Sequence, residues 1–378
     1  MTTAAIVLAS GLACISLQGV LLPVLRRYVV DVPNGRSSHR SPTARGGGIA
    51  VVGGVWLGVI AGWLVGLPIP WAVVAVALGL SALLGLADDI RSVGALTRLA
   101  IQLALGLALA LWVFRSGAPE LTGLELGPLI LLAALWLAGF TNAYNFMDGI
   151  NGISAFTAVV AGTWYVYVGW EWQVEQLGVL GLAVAGAGAG FLPWNLPRAR
   201  VFLGDVGAYA IGMSLAGLAL WAAVAGVPLW SAAAPLLVYV VDTGWTLTRR
   251  IATGRPWRQA HRDHVYQRLV DGGWSHTQSS MLSAFAALAC CAVSMVANSV
   301  DVAVGLLLLV IGAVCYLLLP QAIHGPQTSL PPPVVPSVQP DGVVLSPRSV
   351  HGMMPASGSE PGRHSRSAQP GSRELTRQ

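Results

Sequence analysis

Long apolar stretches alternate with short polar loops along most of this chain. The stretches fall near residues 3–25, 48–67, 71–87, 99–114, 127–141, 154–170, 177–193, 207–224, 228–247, 279–298 and 302–320. A helix needs about 20 apolar residues to cross about 30 Å of hydrocarbon, and these stretches reach or approach that length. The pattern therefore predicts an all-α polytopic integral membrane protein with about 11 transmembrane helices.

Composition agrees with this fold class. The chain has 378 residues, of which 55% are hydrophobic and 10% are charged, and its mean hydropathy is +0.67. Soluble domains carry about 25% charged residues, so a soluble globular protein is excluded. All 21 basic residues are arginine, so every cationic contact must come from a guanidinium or a protonated histidine.

The placement of arginine predicts the orientation in the membrane. With the N-terminus outside, the inner loops hold Arg26, Arg27, Arg36, Arg40, Arg45, Arg91, Arg98, Arg198, Arg200 and six more between Arg249 and Arg268, while the outer loops hold Arg115. This asymmetry is typical of loops retained in the cytoplasm. Before the tail every Glu falls outside, whereas the Asp residues other than Asp301 lie inside or near an inner helix end. The functional face is therefore predicted to be cytoplasmic.

A change in composition divides the chain into two regions. Residues 1–322 form the predicted transmembrane domain, and residues 323–378 are rich in Pro, Ser and Arg with few large apolar side chains. Such a segment buries too little apolar surface to offset the entropy of ordering. We expect a disordered cytoplasmic tail.

The first inner loop combines positive charge with glycine. Arg36, His39 and Arg45 precede three consecutive glycines that open an apolar stretch. Backbone N–H groups at a helix start can approach an anion closely, and guanidinium groups pair well with phosphate. A cationic anchor followed by a flexible helix start remains the alternative.

Two further inner loops carry acidic and amide side chains. Asp88 and Asp89 lie where the third apolar stretch meets the cytoplasm, and adjacent carboxylates at the edge of hydrocarbon are costly unless paired or bound to a metal. Asn142, Asn145 and Asp148 follow the fifth stretch at a spacing of three residues. If the helix persists, they share one face and can bind a nucleotide or offer oxygen to a hard cation.

The last two polar segments supply one more carboxylate and two histidines. Asp205 lies between Gly204 and Gly207, which predicts a tight turn that presents its carboxylate. His261 and His264 are three residues apart in the longest inner loop, where they can act as acid, base or phosphate donors. A zinc site is the less favoured alternative because no cysteine accompanies them.

These five segments, in this order, resemble the polyprenyl-phosphate N-acetylhexosamine-1-phosphate transferase family (glycosyltransferase family 4). The resemblance spans roughly residues 20–270. The segments Asn142–Gly152 and His261–Gln267 most resemble the branch that initiates O-antigen or exopolysaccharide chains. It implies that undecaprenyl phosphate attacks the β-phosphorus of a UDP-N-acetylhexosamine in a bacterial cytoplasmic (inner) membrane. The products are undecaprenyl-diphospho-sugar and UMP.

The same resemblance implies roles for individual residues. Asp205 is implied as the principal Mg²⁺ ligand, with Asn145 or Asp88 assisting and Mn²⁺ as the alternative ion. Asp88 and Asp89 are implied to lie beside the lipid phosphate. The nucleotide-sugar pocket is implied to contain Asn142, Asp148, Asn151, Asn195 and Phe202. His261 and His264 are implied to contact the diphosphate or the carboxylates.

Two departures bear on the substrate. The family usually has Asp where this chain has Asn151, which removes an acceptor from the uridine side of the pocket. The segment near His261 also lacks the three consecutive histidines of the peptidoglycan branch, which disfavours a muramyl-pentapeptide substrate. GlcNAc, GalNAc, FucNAc and QuiNAc remain open, as do direct attack and a covalent aspartyl-phosphate route.

Other classes account less well for the pattern. A polytopic transporter places polar groups near the bilayer midplane, whereas these apolar stretches are almost free of ionisable residues apart from Asp242 and Arg249. CDP-alcohol phosphotransferases group their aspartates on two adjacent helices, unlike these loops. The expected partners are undecaprenyl phosphate, a UDP-N-acetylhexosamine and the lipid bilayer. No nucleic acid is implied, and a homodimer remains an open alternative to a monomer.

Overall fold

The computed structural model describes residues 2–31, 41–117, 125–256 and 261–324, and these are largely helical. The helices are α1 (Thr2–Tyr28), α2 (Gly48–Leu64), α3 (Trp71–Val73), α4 (Ala82–Arg91), α5 (Ala95–Gly117), α6 (Leu126–Met147), α7 (Ile153–Glu171), α8 (Glu175–Asn195), α9 (Gly204–Val224), α10 (Leu229–Ala232), α11 (Leu237–Ala252), α12 (Val265–Asp271), α13 (His276–Ser299) and α14 (Val302–His324). A π-helical stretch, Val74–Ser81, joins α3 to α4. The short strands β1 (Val30–Asp31) and β2 (Thr43–Ala44) pair antiparallel.

The fold class is confirmed as an all-α polytopic membrane protein. Among the described residues, nine helices are long and apolar enough to span a membrane, with Trp71–Arg91 counted as one of them. The apolar helix α2 is shorter, at 17 residues. The count of 11 spans and the outside N-terminus stay predictions, and the predicted tail lies outside the described residues beyond His324.

The predicted span over residues 228–247 is not a single helix. It consists of the four-residue helix α10, a 3₁₀ turn at Ala234–Leu236 and then α11, which extends to Ala252. Pro235 stands at the start of the 3₁₀ turn. Proline lacks the N–H that a continuous helix would use there, so it interrupts the segment. The prediction of one uninterrupted helix was wrong at this point.

Helix α9 lies at the centre of the helix bundle, because nearly all of its residues are buried. Its N-terminal end is approached very closely by two other helices through glycine. A Cβ atom at Gly48 would lie 2.2 Å from the backbone nitrogen of Gly207, and one at Gly85 would lie 2.2 Å from the carbonyl oxygen of Asp205. Small residues let backbones meet in this way inside membrane proteins. The start of α9 is therefore held against α2 and α4.

Substitution of Gly85 by alanine tests this packing. We expect Gly85→Ala to lower the unfolding free energy by about 1–3 kcal/mol, because the new methyl group must push α4 away from the backbone of Asp205. The measurement is thermal unfolding of the purified protein in detergent. Gly139→Ala is the matched control, since Gly139 is exposed on α6 with no atom near its Cβ position. Equal melting temperatures for the two variants would contradict the prediction.

Candidate active site

The glycines that open α2 dock this helix onto the segment preceding α9. The N–H of Gly47 donates to the carbonyl of Phe202 at 2.9 Å, and the N–H of Gly48 donates to that of Leu203 at 2.7 Å. The prediction that these N–H groups are open to a phosphate was wrong, because two carbonyls distant in sequence already satisfy them. The other predicted phosphate contacts of this loop, Arg36 and His39, lie outside the described residues.

Arg45, the remaining predicted phosphate contact, bridges two of the predicted catalytic carboxylates. Its Nε lies 2.8 Å from Asp89 Oδ1, and its NH2 nitrogen lies 2.8 Å from Asp205 Oδ2. The Asp89 side chain is 2% exposed and that of Arg45 is 35% exposed. The guanidinium thus links a buried carboxylate to the surface and draws two separate acidic motifs together.

The second carboxylate of the pair, Asp89, caps the N-terminus of α9. Its two oxygens each accept a backbone N–H, from Asp205 at 3.0 Å and from Val206 at 3.0 Å. A carboxylate in this position satisfies free N–H groups and is stabilised by the helix dipole. Gly204 adopts a φ of +75°, and a Cβ there would lie 2.7 Å from Asp89 Oδ2. Glycine is therefore needed at this position.

Asp88 has a different set of partners from Asp89. Its carboxylate accepts the N–H of Val93 at 2.8 Å, an Arg98 guanidinium N–H at 2.6 Å and the Tyr209 hydroxyl at 2.7 Å. These contacts join the end of α4 to α5 and to α9. Sequence reasoning did not assign Arg98 and Tyr209 to the site, because only the fold brings them to Asp88.

The predicted common face of Asn142, Asn145 and Asp148 is not formed, because α6 ends at Met147. Asn142 donates to Gln102 on α5 and to the carbonyl of Ala138 within α6, so its amide group is already used in contacts between and within helices. Asp148 leaves the helix as its C-cap residue. Burial raises the pKa of Asp148 to about 7, against the opposing effects of Ser154 and Arg45.

The amides predicted to bind a nucleotide tie the segment after α6 to the segment before α9. Asn195 accepts the N–H of Gly152 and donates to the carbonyl of Val201 at 3.0 Å. Asn151 donates from its side chain to the carbonyl of Pro197 at 3.1 Å. These contacts use both the oxygen and the nitrogen of the Asn195 amide. Phe202, which follows Val201 directly, is half-buried. Nucleotide binding by this group stays a prediction.

The histidine segment is anchored on α11 and α6. His264 is buried, and its Nδ1 lies 2.9 Å from a carboxylate oxygen of Asp242. The His261 ring lies 5.1 Å from that of His264. Burial, together with the neighbouring His264 and Arg250, lowers the pKa of His261 to about 4. Tyr266 donates to the carbonyl of Phe146 at 2.9 Å, which brings this segment to the end of α6.

Oxygen donors dominate the site, which is the chemistry that a hard divalent cation prefers. Asp205 uses Oδ2 for Arg45, and Oδ1 has no hydrogen-bond partner among the described residues. In that same part of the chain, no group of three His, Cys, Asp or Glu side chains forms a ready-made metal cluster. The donor types therefore fit Mg²⁺, with Asp205 as the available carboxylate, and metal binding stays a proposal.

Comparisons with known proteins show the family to which this chain is related. Residues 71–223 match the family model described as Glycosyl transferase family 4. The probable undecaprenyl-phosphate N-acetylglucosaminyl 1-phosphate transferase of Bacillus subtilis (strain 168) is 28% identical, over 70% of this chain and 77% of its own. The decaprenyl-phosphate N-acetylglucosaminephosphotransferase of Mycolicibacterium smegmatis is 28% identical, over 68% and 72%. The phospho-N-acetylmuramoyl-pentapeptide-transferase of Synechococcus sp. (strain JA-3-3Ab) is 30% identical, over 69% and 82%.

The fold and the relatives together define a multi-pass membrane transferase. The chain belongs to the polyprenyl-phosphate N-acetylhexosamine-1-phosphate transferase family. This membership confirms the family to which the motifs were compared. The roles of the individual residues are not tested by it.

The raised pKa of Asp148 predicts a pH-dependent contribution to stability. Between about pH 4, where an unfolded Asp titrates, and about pH 7, the folded protein keeps a proton that the unfolded chain releases. The free energy of unfolding should therefore fall as pH rises through this window. Asp148→Asn does not titrate, so its melting temperature relative to the native protein should be higher at pH 8 than at pH 5.

The measurement is thermal unfolding of both proteins in detergent at these two pH values. Glu175→Gln, at an exposed carboxylate that begins α8, controls for effects of pH on the detergent complex. A difference between the native protein and Asp148→Asn that is the same at both pH values would contradict the prediction.

Proposed function

We propose that this protein transfers an N-acetylhexosamine-1-phosphate from a UDP-sugar to undecaprenyl phosphate. An oxygen of the lipid phosphate attacks the β-phosphorus, and the bond from that phosphorus to the α–β bridging oxygen breaks. UMP leaves with the bridging oxygen, and the product is undecaprenyl-diphospho-sugar. The observation that carries the proposal is the arginine-bridged pair Asp89 and Asp205, joined to Asp88 through α4, at one end of a membrane bundle.

The chemistry of transfer between phosphates suits this arrangement. Such reactions depend mainly on neutralising charge and on in-line positioning, and require little covalent assistance from side chains. Arg45 supplies a guanidinium that can pair with phosphoryl oxygens at the partly exposed surface of the cluster. Asp205, assisted by Asn145 or Asp88, would hold Mg²⁺, which supplies further neutralisation of the diphosphate.

The contacts of Asp88 and Asp89 favour direct attack over a covalent route. Each carboxylate accepts backbone N–H bonds and is paired with an arginine. A carboxylate that is neutralised and fixed in this way is a poor nucleophile, because it would have to give up these bonds to attack phosphorus. We therefore assign Asp89 to fixing the site and Asp88 to the side of the lipid phosphate.

The names of the relatives and the histidine segment bear on the choice of sugar. The names of the Bacillus and Mycolicibacterium proteins specify N-acetylglucosamine phosphates, and that of the Synechococcus protein specifies a muramoyl-pentapeptide. This chain has His261 and His264 separated by two residues in place of three consecutive histidines. We propose that the donor is a UDP-N-acetylhexosamine and that the site faces the cytoplasm of a bacterium. The reaction would then initiate a surface polysaccharide such as O-antigen.

The test uses the full chain in lipid nanodiscs with undecaprenyl phosphate and Mg²⁺. The donors are a panel of UDP-N-acetylhexosamines, UDP-GlcNAc first, and UDP-muramyl-pentapeptide. Release of UMP and formation of lipid-linked sugar are measured together. Product that requires both the lipid and the metal would support the proposal and identify the sugar. Turnover of UDP-muramyl-pentapeptide alone, or no UMP from any donor, would overturn it.

Replacement of Asp205 tests the proposed metal ligand. Asp205→Asn keeps the shape and can still accept from Arg45, but it removes the charge. We expect the transferase rate to fall by about a hundredfold or more, which corresponds to several kcal/mol in the transition state. The melting temperature and the elution volume in detergent should show that the protein remains folded.

Asp301→Asn is the matched control for this variant. Asp301 is exposed between α13 and α14, and its carboxylate accepts the N–H of Val304, a bond that asparagine can also make. Its rate should equal that of the native protein. An Asp205→Asn protein with native transferase activity would refute the assignment.

A further inference from the structure

Asp242 is a fully buried carboxylate that the proposed transfer reaction does not use. It lies on α11, and both of its oxygens are occupied by donors. Oδ1 accepts from His264 Nδ1 at 2.9 Å and from the Thr246 hydroxyl at 3.2 Å. Oδ2 accepts from the N–H of Val265 at 3.0 Å and from the Tyr316 hydroxyl at 3.3 Å. Burying a carboxylate in this environment costs free energy unless hydrogen bonds satisfy both of its oxygens, so the presence of Asp242 here calls for an explanation.

The contact with Asp242 determines which nitrogen of the His264 ring carries a proton. A carboxylate can only accept hydrogen bonds, so Nδ1 must be the donor in this pair. In the neutral ring the proton is then on Nδ1, and Nε2 is left as the acceptor. Within the described residues Nε2 has no hydrogen-bond partner, so it is the atom that remains for a ligand.

The same helix holds this segment at a second point. Arg250, two turns further along α11, pairs with Asp263 and donates to the carbonyl of Pro256 at 2.9 Å. On the other side, the ring of Tyr266 stacks on that of His264 with centroids 5.7 Å apart. His264 is therefore held by the bond at Nδ1, by the anchoring of the neighbouring Asp263 and by the ring of Tyr266 on one face. Its Nε2 atom is not held by any of these contacts.

We propose that Asp242 is a positioning residue that fixes His264 in the Nδ1-protonated tautomer and presents Nε2 to the phosphates of the substrate. As a neutral ring, His264 accepts a hydrogen bond or a proton at Nε2, and as a protonated ring it donates from the same atom. The part of this inference that concerns substrate rests on the proposed function. The part that concerns the tautomer rests on the contacts alone.

A solely structural role is the competing explanation, because Asp242 also caps the start of α12 through Val265. The two roles differ in what the isosteric amide does. The amide of an Asp242→Asn variant has one acceptor end and one donor end. When its oxygen keeps the 3.0 Å bond from the N–H of Val265, its NH2 group faces His264 Nδ1, which can then only accept. If Asp242 fixes the tautomer, Asp242→Asn changes the protonation of the ring nitrogens. If it serves only the helix start, the tautomer stays the same.

The first test is nitrogen NMR of the full chain in lipid nanodiscs with ¹⁵N-labelled histidine, at a pH where the ring is neutral. The chain has 7 histidines, and the signals that vanish in His264→Gln identify the ring of interest. We expect native His264 to be protonated at Nδ1 and not at Nε2. Asp242→Asn should move the proton to Nε2 or give a mixture of tautomers.

Tyr316→Phe is the matched control, since it removes one bond to Asp242 without touching His264, and it should keep the native pattern. A native ring protonated at Nε2, or an Asp242→Asn spectrum identical to the native one, would overturn the proposal. This readout needs no substrate. A confirmed tautomer with no transferase activity would therefore refute the proposed function, together with the part of the inference that concerns substrate, and would leave the assignment of the tautomer to Asp242 standing.

The second test separates positioning from folding by a double-mutant cycle on the transferase rate. We expect Asp242→Asn to lower kcat at least tenfold while the KM for the UDP-sugar changes little. In the His264→Gln background the same change should have almost no further effect, because the two residues act as one unit. An equal loss of kcat in both backgrounds would show that Asp242 serves only the fold and would overturn the proposal.

Discussion

The candidate active site depends most on the contacts of the Asp89 carboxylate. It accepts the first N–H groups of α9 and pairs with Arg45, so it joins α4, α9 and the segment that leads into α2. Hydrogen bonds to charged groups contribute about 1.5–3 kcal/mol each, more than bonds between neutral groups. Because the side chain is almost fully buried, breaking one partner would leave a charge in a poorly solvated place. The position of Asp205 follows directly, since its own N–H is one of the two that Asp89 holds.

Much of the negative charge at the site is neutralised before any substrate arrives. Arg45 lies between Asp89 and Asp205, and Arg98 lies beside Asp88, so each of these carboxylates has a guanidinium partner. Asp148 has no such ion pair among the described residues, and its pKa is raised to about 7. In the proposed reaction, a diphosphate would add negative charge to this cluster and a divalent cation would offset it. We therefore expect the two to bind with positive cooperativity.

The apolar pattern predicted most of the helices, with residues 228–247 as the exception, but not the contacts between them. The stretches became α1, α2, the helix ending at Arg91 and the later spans, because burial of apolar length in lipid leaves little choice of structure. The motifs also identified Asp88, Asp89 and Asp205, whose charges are conspicuous in an apolar chain. The N–H groups of Gly47 and Gly48 were misinterpreted, since their acceptors at Phe202 and Leu203 lie more than a hundred residues away.

Residues whose importance comes only from their neighbours could not be found in the same way. Tyr209 lies in an almost uniformly buried helix, and nothing in its local sequence distinguishes it from core packing. Asp242 was visible as an isolated charge in an apolar stretch, but its partner His264 is 22 positions away, across a turn whose geometry the sequence does not give. At the end of α6, the bond from Tyr266 to the carbonyl of Phe146 likewise joins residues 120 positions apart, and the local sequence does not indicate it.

Asp89 and Asp242 use one physical device for two purposes. Each carboxylate lies on one helix and accepts N–H groups at the start of another, so it fixes the direction in which the second helix begins. Asp89 thereby aims Asp205, and Asp242 thereby aims His264. Transfer between phosphates gains most of its rate from placement of charges, and errors of about 1 Å are costly. Side chains on short segments between long helices would be too mobile for this purpose unless buried charges held them. This explains why the chain has carboxylates at positions where the nearby hydrocarbon makes a charge unfavourable.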